Sequence, residues 1–192
     1  IKKAIESKKH TGGFIAIYAP SGSGKTVLLS RLSEKNADFI PYLCRIRPFE
    51  GIKGSSGINN KERLSSKWFK VDIIQRCYEF GLISVNAGIE DDDNFIDKTF
   101  EEALQMLSQS AQYSQSKKIV IIVDALDQVE TDKYAGKSVL DAIPIINYPG
   151  VVFLLSTWGP NYLPISLKKK KKSVSAVGIE LYFTENEIKD YF

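Results

Sequence analysis

Histidine, cysteine and methionine are scarce in this chain: its 192 residues include one histidine, two cysteines and one methionine. With His10 as the only imidazole, a histidine-based metal site and a Ser-His-Asp triad built from this chain alone are excluded. Cys44 and Cys77 are too few for a disulfide framework and lack the spacing of metal ligands. Because both lie in apolar surroundings, we expect reduced, buried thiols in a cytoplasmic protein.

Long apolar runs and a marked charge excess are also missing. No stretch reaches the ~18 consecutive apolar residues of a membrane span, and nothing resembles a secretory signal peptide. The 26 basic and 23 acidic residues give a net charge of +3, which does not argue for a nucleic-acid partner. A hydrophobic content of 43% fits a single globular domain over residues 1–192. Since the chain does not begin with Met and stops directly after a helical pattern, we expect a piece of a longer protein.

The most informative segment that is present is rich in Gly and Ser and reads APSGSGKT at residues 19–26. The apolar run before it (14–18) predicts a buried strand, and the amphipathic run after it (27–32) predicts a helix. A strand that turns tightly into a helix leaves the first N–H groups of the helix unpaired, and the helix dipole favours an anion there. The pattern predicts a phosphate-binding loop whose nucleotide-binding residues are Pro20, Ser21, Gly22, Ser23, Gly24, Lys25, Thr26 and Val27.

Two side chains of this loop carry its chemistry. Lys25 contributes an ammonium group for the β- and γ-phosphates, and Thr26 contributes a hydroxyl that can ligate magnesium. Ala19 stands where the pattern has its first glycine, a position that closes the turn rather than touching phosphate, so we expect it to be tolerated. The alternative is a flexible Gly/Ser loop in which Gly-Lys-Thr occurs by accident.

A second strong signal is the run of five β-branched residues at 119–123, which ends in Asp124. Such a run predicts a strand that is covered by helices on both faces of a parallel sheet. Open α/β sheets bind their ligands at the carboxyl ends of the strands. With the phosphate loop at the same edge, we expect Asp124 to hold the magnesium ion through water. The alternative is that Asp124 only caps a turn.

Three other charged segments are more typical of solvated surface than of a site. The acidic residues 90–93 lack the ligand spacing and glycine of an EF-hand, which favours an exposed turn before a helix. The five lysines at 168–172 predict a mobile loop, with contact to nucleic acid or an anionic membrane as the alternative. Arg45 and Arg47 follow a predicted strand, where solvated arginines are favoured over a contact with a nucleotide or a partner.

Alternating strand and helix patterns predict an α/β fold: a three-layer α/β/α sandwich around a mostly parallel, five-stranded sheet. Pro41 indicates an edge strand, because proline cannot donate to the ladder. Residues 184–187 resemble a capping box that opens a final helix. The predicted strands are residues 14–18, 39–46, 118–124, 151–155 and 177–183, and the predicted helices are residues 25–34, 61–79, 96–113 and 138–146.

Several motifs together resemble one branch of the phosphate-loop fold. The sequence VDALDQ at 123–128 is similar to the hhhhD-x-LD-E signature of the STAND class of signalling ATPases, which includes the NACHT and NB-ARC modules. The sequence LSTW at 155–158 resembles the LSTR sensor of that class, and residues 183–188 resemble the start of its next helix. The resemblance runs from about Gly13 to Phe192. It implies a P-loop NTPase core with strand order 5-1-4-3-2.

The resemblance also implies roles for individual residues. Gly24, Lys25 and Thr26 would bind phosphate and magnesium. Asp124 would lie in the outer shell of the metal, so that Thr26 and Asp124 are the metal-site candidates. Asp127 would polarise an attacking water, which makes Asp127 and Lys25 the catalytic candidates.

Two departures from the STAND pattern bear on activity. Gln128 stands where a glutamate is frequent, and Trp158 stands where the class has an arginine that senses the γ-phosphate. Since an arginine at such a site is worth ~10³ to 10⁵ in rate, we expect slow or partner-dependent hydrolysis. The sequence then predicts a regulatory switch that binds ATP or ADP with Mg²⁺ and acts with other domains, protein partners or a second copy.

Two other functions remain open. One is a small-molecule or nucleotide kinase on the same fold, and the other is a degenerate module that serves as a scaffold without binding nucleotide. No Asn-Lys-x-Asp guanine signature occurs, which favours adenine over guanine.

Overall fold

The structure is a computed structural model that describes residues 1–8, 10–44, 62–84, 86–88, 90–113, 118–131, 136–165, 167 and 177–180. Strands and helices alternate along this part of the chain, as the α/β prediction requires. The strands are β1 (Gly13–Tyr18), β2 (Phe39–Leu43), β3 (Ile119–Asp124), β4 (Val151–Thr157) and β5 (Val177–Glu180). The helices are α1 (Lys2–Ser7), α2 (Lys25–Glu34), α3 (Ser66–Glu79), α4 (Asp93–Tyr113), α5 (Asp127–Thr131) and α6 (Val139–Ala142).

The strands form one parallel sheet in the order β2-β3-β4-β1-β5. The predicted order 1-4-3-2 is confirmed for the four longer strands, and the short β5 pairs with the other side of β1. At the carboxyl edge Tyr18 lies opposite Thr157, and Leu43 lies opposite Asp124. The loop after β1 and the acidic residue that ends β3 therefore share one edge of the sheet, with β4 between them.

Helices cover both faces of this sheet. On one face, Ile5 of α1 and Leu29 of α2 pack with alternate residues of the central strands, Ile122 among them. On the other face, Phe69 of α3 and Leu104 of α4 join a larger cluster that includes Ile121. Because side chains alternate along a strand, neighbouring residues of β3 serve different clusters. The five β-branched residues of β3 are all fully buried, which confirms a strand covered on both faces.

Two predicted helices begin elsewhere than expected because side chains cap them. A 3-10 turn at Glu62–Leu64 precedes α3, and the Ser65 Oγ accepts a 3.1 Å hydrogen bond from the Trp68 amide. Helix α4 begins at Asp93, three residues before the predicted start. Asp92 accepts hydrogen bonds of 2.8 and 3.0 Å from the amides of the two residues after Asp93. Part of the acidic segment is therefore a helix cap.

The predicted helix 138–146 is wrong in length. Helix α6 ends at Ala142, and Ile143 has an extended conformation with ψ 120°. The next residue, Pro144, disfavours a helical conformation of its predecessor, which explains the early end. Helix α5, Asp127–Thr131, was not predicted.

The ends of two predicted strands and several charged segments fall outside the described residues. Strand β2 ends at Leu43, and the predicted extension to residues 45–46, with Arg45 and Arg47 nearby, lies outside them. The same holds for residues 181–183, the predicted capping box at 184–187 and the lysines at 168–172. Among the described strands, β2 lies at the edge of the sheet, as Pro41 predicted. None of the helices in the described ranges has the length and apolar character that crossing a bilayer requires.

Candidate nucleotide-binding site

The phosphate loop joins β1 to α2 through two glycines with positive φ. Gly22 has φ 80° and Gly24 has φ 82°, values that favour glycine over any L side chain. Gly24 is the N-cap of α2, and it provides no side-chain hydrogen bond to the first turn of the helix. The dipole of this ten-residue helix therefore favours an anion at Lys25 and Thr26.

Lys25 lies inside the loop rather than extending into solvent. Its Nζ donates hydrogen bonds to the carbonyl oxygens of Ala19, at 2.5 Å, and Pro20, at 2.9 Å. Only 8% of the residue is exposed. Burial lowers the pKa of Lys25, and the carboxylates of Asp127 and Asp124 oppose this shift. The ammonium group is thus placed among the atoms of the loop, and a phosphate that binds it competes with two carbonyl groups.

Asp124 connects the phosphate loop with two strands. Its Oδ2 accepts a 2.6 Å hydrogen bond from the Thr26 Oγ1, and its Oδ1 accepts one from the Ser156 Oγ of β4. Asp124 is only 2% exposed. Two hydroxyls therefore fix both carboxylate oxygens, so that the carboxylate faces the first turn of α2. The geometry brings the two predicted metal-site residues, Thr26 and Asp124, together.

A tight turn after β3 places Asp127 at the same edge. Ala125 has φ 62°, and its amide donates to the Ser156 Oγ at 3.3 Å. The Leu126 amide donates to the Ser156 carbonyl oxygen at 3.0 Å, and α5 begins at the next residue. The Oδ2 of Asp127 accepts a 2.7 Å hydrogen bond from the Nε2 of Gln128, and both residues are buried. Ser156 thus fixes the position of this turn.

The end of β4 lies between the phosphate loop and this turn. The Thr157 carbonyl oxygen accepts a 3.3 Å hydrogen bond from the Ala19 amide. Thr157 is fully buried, and its hydroxyl has no hydrogen-bond partner in the described part of the chain. Trp158 is 40% exposed and makes an edge-to-face contact with Tyr162 at 5.8 Å between ring centroids. An indole therefore occupies the position at which the STAND resemblance implies an arginine.

Ser156 and Thr157 belong to the segment 155–158 that resembles the STAND sensor, but neither was predicted to be a site residue. Both are polar residues that follow five apolar residues at the carboxyl end of β4. Two polar residues at the carboxyl end of a central strand were the sequence signal for a site here. Which of their two side chains pairs with Asp124 depends on the pleat of the strand.

The remaining candidates are the two cysteines and the acidic segment near Asp92, and Cys44 lies at this edge, where its amide donates to the Asp124 carbonyl oxygen at 3.1 Å. Cys44 and Cys77 are free and buried, as predicted, and burial raises the pKa of the Cys77 thiol to about 12. Groups of three or more His, Cys, Asp or Glu residues suited to a metal do not occur within the described ranges.

Comparison with known families identifies the class of this domain. Residues 53–173, more than half of the chain, match the model of the KAP family P-loop domain. This chain belongs to the KAP family of P-loop domains. The matched range contains Asp124, Asp127 and Thr157 but begins after the phosphate loop. The match therefore supports the P-loop class independently of the phosphate-loop sequence. No curated protein matches this KAP-family chain.

The residues at this edge fit the nucleotide and metal that P-loop domains generally bind. Magnesium prefers oxygen ligands, and the Thr26 hydroxyl and the Asp124 carboxylate are hydrogen-bonded to each other here. The turn before α2 offers main-chain amides beside the Lys25 ammonium. The KAP-family domain is therefore a P-loop domain of the nucleotide-binding type.

Proposed function

We propose that this KAP-family domain is an ATP-binding regulatory switch of the STAND type, which binds Mg-ATP and Mg-ADP and hydrolyses ATP slowly or only with a partner. The observation that carries the proposal is the 2.6 Å hydrogen bond between Thr26 and Asp124. It joins the hydroxyl expected to ligate magnesium to the carboxylate expected to hold the outer shell of the metal.

In this proposal residues 20–27 hold the phosphates. Main-chain amides at the start of α2 bind phosphate oxygens, and Lys25 exchanges its bonds to the carbonyl oxygens of Ala19 and Pro20 for bonds to phosphate. The Thr26 Oγ1 and, through water, Asp124 hold the magnesium ion. The ion neutralises charge on the phosphates. The second Asp124 oxygen stays fixed by Ser156, which keeps the carboxylate oriented.

Slow hydrolysis follows from the groups around Asp127. Asp127 is 2% exposed, and one of its oxygens already accepts a hydrogen bond from Gln128. The neutral amide of Gln128 cannot act as a base, and the indole of Trp158 cannot supply the positive charge of an arginine. With these groups, we expect ATP to stay bound and to stabilise one conformation of the domain rather than to be hydrolysed rapidly.

A switch requires that ATP and ADP favour different conformations. Exposed apolar side chains near the candidate site are surface that other domains, protein partners or a second copy would bind. Their binding would differ between the two conformations. These side chains are Val27 and Trp158, which are 51% and 40% exposed.

Replacement of Lys25 tests nucleotide binding. In the full chain with Mg²⁺, Lys25→Ala should weaken ATP binding roughly 10- to 150-fold, the range expected when hydrogen bonds to a charged group are lost. Isothermal titration calorimetry measures this. The matched control is Lys35→Ala, an exposed lysine at the other end of α2, which should bind normally.

Three outcomes would count against the proposal. Equal binding of ATP by wild type and Lys25→Ala would mean that the phosphate loop does not form the binding site. Absence of binding by the wild type as well would favour the scaffold alternative. ADP formation that depends on an added hydroxyl acceptor would favour the kinase alternative.

A further inference from the structure

A groove of about 400 Å³ lies at the edge of the sheet opposite the phosphate loop, between α1 and the end of α2. Phe39, the first residue of β2, and Lys118, the residue before β3, both line it. The strands are parallel, so they all begin at this edge and end at the edge that carries Asp124. A ligand in the groove would therefore not compete with a nucleotide at the phosphate loop.

The floor of the groove is apolar and recessed. Ile5 and Phe39 are only 1% and 7% exposed, and Leu32 of α2 packs beside them. A surface at this depth contacts a side chain that inserts into the groove, but it does not contact a flat layer laid across the rim. The aliphatic parts of the lysine side chains at the rim extend this apolar surface toward solvent. The shape therefore favours an apolar side chain as the inserted group.

The rim of the groove carries an excess of positive charge. Three lysines line it, Lys2, Lys3 and Lys118, together with one acidic residue, Glu6. Glu6 and Lys118 form an ion pair that joins α1 to the start of β3. Lys2 and Lys3 are exposed, and neither pairs with a carboxylate in the part of the chain that the structure describes. These two ammonium groups are therefore available to the acidic groups of a ligand.

We propose that this groove binds an acidic segment of a partner protein that inserts one or more apolar side chains. The carboxylates of the segment pair with Lys2 and Lys3, and its apolar side chains fill the space over Ile5 and Phe39. An amphipathic helix with acidic residues beside its apolar stripe presents both features on one side. The proposal does not rest on the nucleotide site, because the groove shares no residue with it.

Two other anionic partners fit this groove less well. The backbone of a nucleic acid offers phosphates but no aliphatic side chain for the recessed floor, and Glu6 at the rim repels it. An anionic bilayer presents a flat surface, whereas Ile5 and Phe39 lie below the rim. The combination of positive rim and apolar floor is complementary to a protein segment.

The test uses the full chain and a fluorescent peptide that repeats the sequence Glu-Glu-Leu-Leu. Fluorescence anisotropy should show binding to the wild type. The double variant Lys2→Glu/Lys3→Glu should bind roughly 10-fold or more weakly, because two attractions become repulsions. Lys2→Arg/Lys3→Arg should bind like the wild type. The affinity should fall as the salt concentration rises from about 0.1 M to about 1 M, since the charges of the rim are exposed.

The matched control is Lys98→Glu/Lys137→Glu, which changes the net charge equally at two exposed lysines outside the groove. It should bind the peptide like the wild type. Two altered peptides test the two features separately. Serine in place of leucine removes the apolar groups, and lysine in place of glutamate reverses the charge, so each peptide should bind roughly 10-fold or more weakly.

Chemical acetylation of lysines gives a second readout on the wild-type protein. Mass spectrometry of the acetylated chain should show that the peptide protects Lys2 and Lys3 but leaves Lys98 as reactive as before. Protection of Lys98 to the same extent would mean that the peptide binds without preference for the groove.

The proposal is overturned if the wild type does not bind the peptide, if Lys2→Glu/Lys3→Glu binds it as well as the control, or if the serine peptide binds as tightly as the leucine peptide. Tighter binding of a single-stranded oligonucleotide, or of vesicles that contain phosphatidylserine, would assign the groove to another class of partner and also overturn it. The two proposals fail separately: Lys2→Glu/Lys3→Glu should bind ATP like the wild type, and Lys25→Ala should bind the peptide like the wild type.

Discussion

The Thr26 Oγ1 donates a hydrogen bond of 2.6 Å to the Asp124 Oδ2, although 98 residues separate them in the sequence. The bond exists because β1 and β3 are parallel and flank β4, so that both strands end at the same edge. The first turn of α2 then lies over the end of β3. This contact is the structural basis of the proposed metal site.

Asp124→Asn should separate metal-dependent binding from phosphate binding. The amide keeps one oxygen for a hydroxyl but loses the negative charge that attracts the hydrated cation. With Mg²⁺, we expect ATP binding by the full chain to weaken roughly 10- to 150-fold relative to wild type. With EDTA the two proteins should bind ATP alike. An equal loss in both conditions would mean that Asp124 supports the loop rather than the metal.

Gln128→Glu should raise the rate of ATP hydrolysis. It places a second carboxylate beside Asp127, and a positioned general base contributes typically ~10²- to 10⁴-fold. Phosphate release measures the rate, and Gln105→Glu on the exposed face of α4 is the control. A variant that folds and binds ATP but hydrolyses it no faster contradicts the assignment of Asp127 to the reacting water.

Gly150→Ala should destabilise the fold without touching the site. Gly150 has φ 81°, and a Cβ there would lie 2.4 Å from the Cβ of Ala111 on α4. We expect a loss of about 2 kcal/mol or more in the free energy of unfolding by urea, from backbone strain and overlap together. Gly159→Ala is the control, since no atom of the described residues lies within 4 Å of its added Cβ. Similar stability of the two variants would refute the packing of α4 against this turn.

Cys77 should make the protein less stable at alkaline pH. Burial raises the pKa of its thiol from about 9.0 to about 12. A raised folded-state pKa contributes stability that is complete below the unfolded pKa and is lost as pH rises toward the folded one. The stability advantage of wild type over Cys77→Ala should therefore shrink as the pH rises from about 9 to about 12 in urea titrations. An advantage that stays constant would mean that the thiol is not protected by burial.

Much of this fold could be predicted because its signals are local and repeated. The apolar run before Ala19 and the β-branched run before Asp124 each specify a buried strand, and Pro41 marks the edge. Parallel strands with helices between them then bring the phosphate loop and Asp124 to one edge. The register of the sheet, which sets Tyr18 opposite Thr157, was beyond the sequence pattern.

The finer parts of the candidate site depend on contacts between distant residues. Periodicity places Ser156 and Thr157 at the end of a strand. It cannot tell that the Ser156 hydroxyl donates to Asp124 while the Thr157 hydroxyl has no hydrogen-bond partner among the described residues. The short α5 escaped prediction because five residues are too few to show a helical period. Helix α6 was overestimated because apolar residues after Pro144 continued the pattern past a residue that ends it.

The positive φ of Ala125 has a consequence for how a signal would leave this site. Only Ala125 and Leu126 separate Asp124 from the first residue of α5, and the amides of both are bonded to Ser156. The main chain therefore has little slack between the end of β3 and the start of α5. A displacement of the Asp124 main chain would reach the first residue of α5 across only two residues.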